Sequence, residues 1–163
     1  MLKKLLAQGL RKIFKLTPQA HIYSPPLTQD EQAIELTYLG TAGFIIKSPQ
    51  RTVVLDPYLS RIGLTELLRP LHTNTALLKK YIPKADEVLI GHAHYDHILD
   101  APDLCKQTGA RLIGSRATCM VGRAAGLPES QLVETEGREN IACGTWTVRG
   151  LPSIHGKAIM GRI

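Results

Sequence analysis

Four residues that can bind a metal lie within six positions of the chain: His92, His94, Asp96 and His97. The short apolar segment from Val88 to Ile90 predicts a buried strand that runs directly into them. Because residues two apart in an extended backbone point the same way, His92 and His94 can project together. A turn into a following helix would swing Asp96 and His97 around behind them. Residues 92–97, called the motif below, are therefore predicted to serve two metal ions.

The ligand types restrict the metal and the chemistry. Zn²⁺ binds imidazole and carboxylate readily, and Mn²⁺ and Fe²⁺ accept the same set, so we expect one or two Zn²⁺ ions with Mn²⁺ or Fe²⁺ as alternatives. A catalytic ion keeps a position for water and lowers its pKa toward neutrality, which generates hydroxide and makes hydrolysis the expected reaction. For Asp96, two roles stay open at this point: metal ligand, or catalytic base that orients the water.

Strands are predicted on the N-terminal side of the motif. Alternating apolar residues predict strands at 34–38, 44–47 and 52–55, the first two split by Gly40 and Gly43. The third strand ends at Asp56, which is either a carboxylate that orients a ligand or loop, or a turn residue before Pro57. Residues 58–83 then form a long connection, with short helices expected at 65–69 and 75–81. Connections of this length are often lids, so His72 is a candidate substrate-loop residue.

Beyond the motif, helices and strands alternate. Asp100 is predicted to cap a helix that ends at Gly109, and Ser115 to cap a second helix that ends at Gly126. Strands are expected at 111–114, 131–134 and 145–151, and the last of these leads to His155. This alternation predicts an α/β fold.

The length of 163 residues suits one domain, and its charge is unevenly distributed. Five of the basic residues that give the net charge of +6 precede Asp30, the first acid of the chain. The remainder is close to neutral, so no nucleic-acid partner is expected. Residues 1–16 predict a basic amphipathic helix that packs on protein or contacts a membrane surface, and residues 17–30 a Pro-containing linker.

The three cysteines suggest a reducing environment. Cys105, Cys119 and Cys143 form no CxxC pair and are an odd number, which argues against a disulfide framework or a cysteine zinc site. We expect them to be buried as small apolar groups in a cytoplasmic protein, peripheral to the membrane if the basic helix binds lipid. No run of eighteen apolar residues occurs.

The motif, HAHYDH, resembles the signature of the metallo-β-lactamase fold hydrolases. The segments 37–46 (TYLGTAGFII) and 53–57 (VVLDP) are similar to that family's opening strands. Tyr95 and the long loop before the motif look most like the branch of lactone hydrolases and N-acylphosphatidylethanolamine phospholipases. The resemblance covers residues 31–163 and implies an αββα sandwich. It also implies one metal held by His92, His94 and His155, and a second held partly by Asp96 and His97.

The chain departs from the family pattern after His155. The pattern continues with a bridging aspartate and a last histidine, and residues 156–163 contain neither. We therefore expect the domain to be the N-terminal part of a longer protein, with a deliberately short form as the alternative. The expected function is hydrolysis of a small-molecule or lipid-like ester, lactone or phosphodiester by metal-bound hydroxide. Two alternatives stay open: a non-catalytic metal-binding module and a peripheral membrane phospholipid hydrolase. The oligomeric state is not predicted.

Overall fold

The computed structural model describes residues 33–63, 66 and 69–152. The predicted basic helix (1–16), the linker (17–30) and His155 lie outside these residues, as does most of the predicted helix at 65–69.

Six strands form one sheet, in which the strands lie side by side in chain order. Their bounds are β1 Glu35–Gly40, β2 Gly43–Lys47, β3 Thr52–Leu55, β4 Glu87–Leu89, β5 Arg111–Gly114 and β6 Leu132–Glu134. The first three are antiparallel, whereas β3, β4, β5 and β6 run parallel to one another. A separate two-stranded sheet consists of β7, Asn140–Cys143, and β8, Trp146–Arg149.

Four α-helices lie in the connections of the parallel half. They are α1 Thr75–Tyr81, α2 Tyr95–Ile98, α3 Ala101–Thr108 and α4 Arg116–Ala124, and a 3₁₀ turn at Glu129–Gln131 precedes β6. Ser115 caps α4 as predicted, because its hydroxyl accepts a hydrogen bond from the Thr118 amide at 3.3 Å. Gly109 ends α3 in the left-handed conformation at φ 77°, where a residue without a Cβ is favoured. The predicted α/β class is confirmed.

Two predictions differ from the structure, and one strand was not predicted. Asp100 does stand at the N-cap position of α3, but its side chain makes no cap hydrogen bond and binds residues 59 and 60 instead. The strand expected at 145–151 is limited to β8, and the sequence reasoning missed its partner β7. Asn140 to Cys143 escaped notice because the strand is short and its residues alternate only weakly in polarity.

The core lies between the parallel strands and the helices that connect them. Its fully buried members include Val54 of β3, Val88 of β4, Leu104 of α3, and Leu112 of β5. Val54 and Leu112 are the register partners of Val88 on its two sides, so Val88 has an apolar neighbour in each adjacent strand. Burial of such side chains stabilises the fold by roughly 1.5–3 kcal/mol each. The core therefore fixes the strand ends from which the motif emerges.

A buried charge cluster lies at the start of β4 and holds the second sheet. The Glu87 side chain is 1% exposed, and its Oε1 accepts hydrogen bonds from Arg51 at 2.6 Å and Arg111 at 3.0 Å. Arg51 also donates to the Cys143 carbonyl at 3.3 Å, and Arg111 to the Ala142 carbonyl at 2.8 Å. Both guanidinium groups thus join the six-stranded sheet to β7. No helix in the part of the chain that the structure describes is long and apolar enough to cross a bilayer.

Replacing Glu87 by Gln should destabilise the protein strongly. The substitution weakens two charge-assisted hydrogen bonds to a buried carboxylate, a loss of about 1.5–3 kcal/mol, while Arg51 keeps its contact with Asp86 at 3.7 Å. Urea unfolding followed by circular dichroism measures it. Glu129→Gln is the matched control. The ion pair of Glu129 with Arg123 is exposed, so its loss should hardly change the urea midpoint. Equal midpoints for both variants would contradict the assigned role of Glu87.

The three thiols should be unreactive in the folded protein. All three cysteines are fully buried, and burial raises the pKa of the Cys105 thiol to about 12, so it stays protonated at pH 8. Ellman's reagent should therefore react with none of them rapidly in the native protein and with all three in guanidinium chloride. Fast reaction of the native protein would exclude this packing.

Candidate metal centre

The motif leaves the sheet at the carboxyl end of β4. The strand ends at Leu89, and Gly91 leads into His92 and His94, the latter still extended at φ −77° and ψ 151°. Tyr95 then begins α2, which carries Asp96 and His97 around one turn. The sequence predicted a strand and a loop here with a helix only from Asp100, whereas the structure has a short helix inside the motif itself. This helix brings Asp96 and His97 beside the two preceding histidines.

The histidine rings of the motif lie against one another. Nε2 of His92 lies 3.0 Å from Nδ1 of His94, and the ring centroids of His92 and His97 are 3.9 Å apart. Two nitrogens bound to one tetrahedral Zn²⁺ at about 2.05 Å lie about 3.3 Å apart. The His92–His94 separation is thus within a few tenths of an ångström of the spacing that two imidazole ligands of one ion require.

A second pair of donors lies beside the first. Oδ2 of Asp96 is 3.8 Å from Nε2 of His97, and the Asp96 side chain is 37% exposed, whereas that of His97 is 13% exposed. This pair combines a carboxylate and an imidazole, which suits Zn²⁺, Mn²⁺ or Fe²⁺. Its partial exposure leaves Asp96 accessible to a substrate.

Asp56 supports the motif from the neighbouring strand. Its Oδ1 accepts a hydrogen bond from the Gly91 amide at 2.7 Å, and its Oδ2 lies 2.9 Å from Nδ1 of His97. The second is a close contact rather than a hydrogen bond, since the buried Nδ1 has no hydrogen-bond partner among the described residues. A carboxylate at one ring nitrogen is the usual partner of a metal-bound histidine and leaves the other nitrogen, here Nε2, for the ion. Of the two roles considered for Asp56, the contacts favour the orienting one.

The four donors of the motif are imidazoles and a carboxylate, which bind metal ions, and they lie in two pairs. Among residues 33–63, 66 and 69–152, no group of three or more His, Cys, Asp or Glu side chains is arranged to hold an ion. His155, the predicted third ligand of the first ion, lies outside the described residues. Metal binding by the five predicted ligands therefore stays a prediction, supported by the two pairs and by the position of Asp56.

A buried carboxylate fixes the loop beside the motif, a role that the sequence reasoning missed. Asp100 is fully buried and accepts hydrogen bonds from the amides of Leu59 at 2.6 Å and Ser60 at 2.8 Å, and from the Ser60 hydroxyl. Burial raises the pKa of Asp100, and the hydrogen bonds from Ser60 and Leu59 oppose that rise. The signal in the sequence was an acid at a helix start, which predicts a cap equally well.

The same loop places an aromatic wall against the motif. Tyr58 is buried, its hydroxyl accepts a hydrogen bond from the Ile62 amide at 2.9 Å, and its ring meets Tyr95 edge-on with centroids 6.0 Å apart. Arg61 lies over the Tyr58 ring at 5.4 Å and donates to the Leu39 carbonyl at 2.6 Å. The first part of the predicted substrate-facing loop is therefore fixed beside the motif, while His72 is exposed and belongs to no donor pair described above.

Backbone strain is concentrated near this site. Within the described residues, Thr41, Asp56 and Arg61 are the non-glycine residues with positive φ, at 57°, 43° and 50°. Arg61 also contacts the Thr41 hydroxyl, so two of the three meet directly. Such conformations cost about 1–3 kcal/mol each and persist where surrounding contacts over-determine them, often at functional sites.

Comparisons with known proteins point to one family. Residues 51–161 match the model of the beta-lactamase superfamily domain. The chain is 34% identical over 137 residues to a UPF0173 metal-dependent hydrolase from Thermodesulfovibrio yellowstonii, covering 78% of this chain and 47% of that protein. A second UPF0173 metal-dependent hydrolase, from Anaeromyxobacter sp. strain K, is 38% identical over 98 residues, covering 60% and 32%. The chain thus spans less than half the length of either relative.

A solved structure shares the fold. CmlA, a diiron β-hydroxylase from Streptomyces venezuelae, superposes with a TM-score of 0.56 and 23% identity, covering 76% of this chain and 24% of that one. At this identity the likeness concerns the fold alone. It agrees with the fold that the motif and the opening strands predict.

Replacing Asp56 by Ala should weaken metal binding without removing a ligand. Loss of a carboxylate that orients a metal-bound histidine typically costs about 10–100-fold in affinity. Isothermal titration of the complete metal-free protein with Zn²⁺ measures it. Glu129→Ala is the control, since that exposed carboxylate pairs with Arg123 and belongs to neither donor pair. Unchanged Zn²⁺ affinity in Asp56→Ala would show that Asp56 is a turn residue only.

Proposed function

The chain belongs to the beta-lactamase superfamily, and we propose that it provides the metal centre of a hydrolase that acts on an ester, lactone or phosphodiester. The observation that carries the proposal is the pairing of His92 Nε2 with His94 Nδ1, 3.0 Å apart at the end of β4, next to the Asp96–His97 pair. Two relatives described as metal-dependent hydrolases support a hydrolytic reaction.

The residues divide into two ligand groups. His92 and His94, together with His155, would hold one ion, and Asp96 and His97 would contribute to a second. When bound, a divalent ion acidifies water and polarises the carbonyl or phosphoryl oxygen of a substrate. Zn²⁺ is the proposed metal because imidazole and carboxylate ligands suit it, and Fe²⁺ and Mn²⁺ remain the alternatives.

Asp96 is the proposed catalytic residue of this chain. Its carboxylate is exposed enough to meet a substrate, whereas the His97 ring beside it is mostly buried and held near Asp56. In hydrolysis the oxygen of water bonds to the carbonyl carbon or phosphorus, the bond to the leaving oxygen breaks, and that oxygen takes up a proton. Asp96 would orient the water and accept its proton, a role that requires hydrogen-bond reach.

His94→Ala in the complete protein tests the proposal. Removal of one member of the closest donor pair should abolish stoichiometric Zn²⁺ binding, measured by plasma emission spectroscopy after gel filtration. Hydrolysis of p-nitrophenyl acetate, a γ-lactone and bis-p-nitrophenyl phosphate should fall by at least about a hundredfold where the wild type is active. His72→Ala serves as the control for metal content, because this exposed ring is not one of the predicted ligands. Wild-type turnover in the metal-free His94→Ala variant would reject a metal-dependent mechanism.

Metal-dependent turnover separates this proposal from the non-catalytic alternative. A hydrolase predicts turnover that EDTA removes and Zn²⁺ restores. A metal-binding module predicts bound metal with no turnover of any of the three substrate classes.

A further inference from the structure

One arginine ties the turn between β1 and β2 to the loop that follows β3. The Arg61 guanidinium donates to the Leu39 carbonyl at 2.6 Å and contacts the Thr41 hydroxyl. Leu39 lies near the end of β1, and Thr41 lies in the turn itself. The approach is close, because a Cβ at Gly40 would overlap Nη2 of Arg61. A residue without a side chain at position 40 therefore makes room for the guanidinium.

The same loop holds the Tyr58 side chain at two places. The guanidinium carbon of Arg61 lies 5.4 Å from the centroid of the Tyr58 ring, which is within the range of a cation–π contact. The next residue, Ile62, donates its amide to the Tyr58 hydroxyl at 2.9 Å. Residues 61 and 62 thus hold both the face and the hydroxyl end of a buried ring.

Tyr58 in turn contacts the motif. Its ring meets the Tyr95 ring edge-on, with centroids 6.0 Å apart, and Tyr95 is the first residue of α2. Two residues before Tyr58, the Asp56 carboxylate lies against the His97 ring of the same helix. The loop after β3 therefore contacts α2 at two points, and Arg61 attaches the Tyr58 part of this loop to β1.

The contacts of Arg61 require an arginine. Its planar guanidinium can meet two acceptors and stack on an aromatic ring at the same time, whereas a lysine ammonium carries its charge at one point. The backbone of Arg61 has a φ of 50°, a conformation that costs about 1–3 kcal/mol and persists where surrounding contacts over-determine it. The side-chain contacts to Leu39, Thr41 and Tyr58 supply that restraint.

We propose that Arg61 is a positioning residue for the motif: by fixing Tyr58 between the β1–β2 turn and Tyr95, it fixes α2 and the Asp96–His97 pair. The inference rests on the proposed function in one respect, the assignment of this pair as metal ligands. Arg61 acts through Tyr58 and not on the metal or the substrate, so its effect on α2 is measurable without either.

Hydrogen–deuterium exchange of the complete protein in EDTA tests the positioning role. The amides of Ile98 and Leu99 donate to the carbonyls of residues 94 and 95, so their exchange reports how firmly α2 is held. Arg61→Ala should speed this exchange at least about tenfold and leave exchange in β5 and α4 unchanged. Tyr58→Leu, which keeps the arginine and removes the ring, should have the same local effect. Arg61→Lys should recover only part of the protection.

Arg123→Ala is the matched control. This arginine forms an exposed pair with Glu129, at 2.6 and 2.8 Å, and its loss should leave exchange in α2 unchanged. Urea unfolding identifies any variant that does not fold, and Arg61→Lys then provides the comparison with wild type. Wild-type exchange of α2 in the Arg61 variants, or equally faster exchange throughout the protein, would overturn the positioning role.

Titration with Zn²⁺ then tests the link to the proposed metal centre. Arg61→Ala should weaken binding of the second equivalent about tenfold and hardly change the first, because the Asp96–His97 pair contributes to the second ion only. Faster exchange of α2 in Arg61→Ala, in a protein that binds no Zn²⁺ as wild type, would support the positioning role and reject the proposed function. Two equivalents bound equally well by wild type and Arg61→Ala would overturn the positioning of the ligand pair and leave the proposed function standing.

Discussion

The carboxylate of Asp56 joins the end of β3 to both parts of the motif. The Asp56 amide donates to the Leu89 carbonyl at 2.9 Å, its Oδ1 accepts from the Gly91 amide, and its Oδ2 approaches His97. One residue therefore joins the ends of two parallel strands, through its amide and its carboxylate, and lies against an imidazole beyond them. Gly91 permits this close approach, because a Cβ there would lie 3.1 Å from Oδ2. Without Asp56, the extended and helical parts of the motif would lose the residue that contacts the chain on both sides.

The two ends of β4 have different structural roles. At its start, Glu87 and two arginines attach the second sheet, and at its end the chain turns into the motif. The strand has only three residues, so both groups are held by the same short piece of buried backbone. Because Val88 lies between Val54 and Leu112 in register, neither end can shift without disturbing the core.

Asp100 extends this arrangement to the loop that follows β3. A buried carboxylate is costly in an apolar surrounding, and three hydrogen bonds from residues 59 and 60 offset that cost. The same contacts hold Tyr58 against Tyr95, and through Ser60 they reach the start of α1. Asp100 therefore supports the proposed metal centre indirectly, through the contact of Tyr58 with Tyr95 of the motif.

Much of the local structure followed from the sequence, because short-range rules govern it. Apolar periodicity located β1 to β6 and α1 to within about two residues, and the helix ends at Gly109 and Gly126 follow from backbone conformations that favour glycine. The occurrence of three histidines and an aspartate within six positions singled out the four donors of the motif. The structure brings them together in two pairs. The resemblance of the same residues to a known family was confirmed by the match over residues 51–161.

Other features were decided by the tertiary structure alone. Asp100 has the sequence signature of a helix cap, yet its carboxylate accepts hydrogen bonds from amides 41 and 40 residues away, which only the tertiary structure brings to it. The weakly patterned β7 depends on Arg51 and Arg111, whose contacts no local rule anticipates. A depression beside the motif likewise brings together residues from 71 to 125 that share no pattern along the chain. Spacing within the sequence singled out the residues that are predicted to bind a metal, and long-range packing determined what surrounds them.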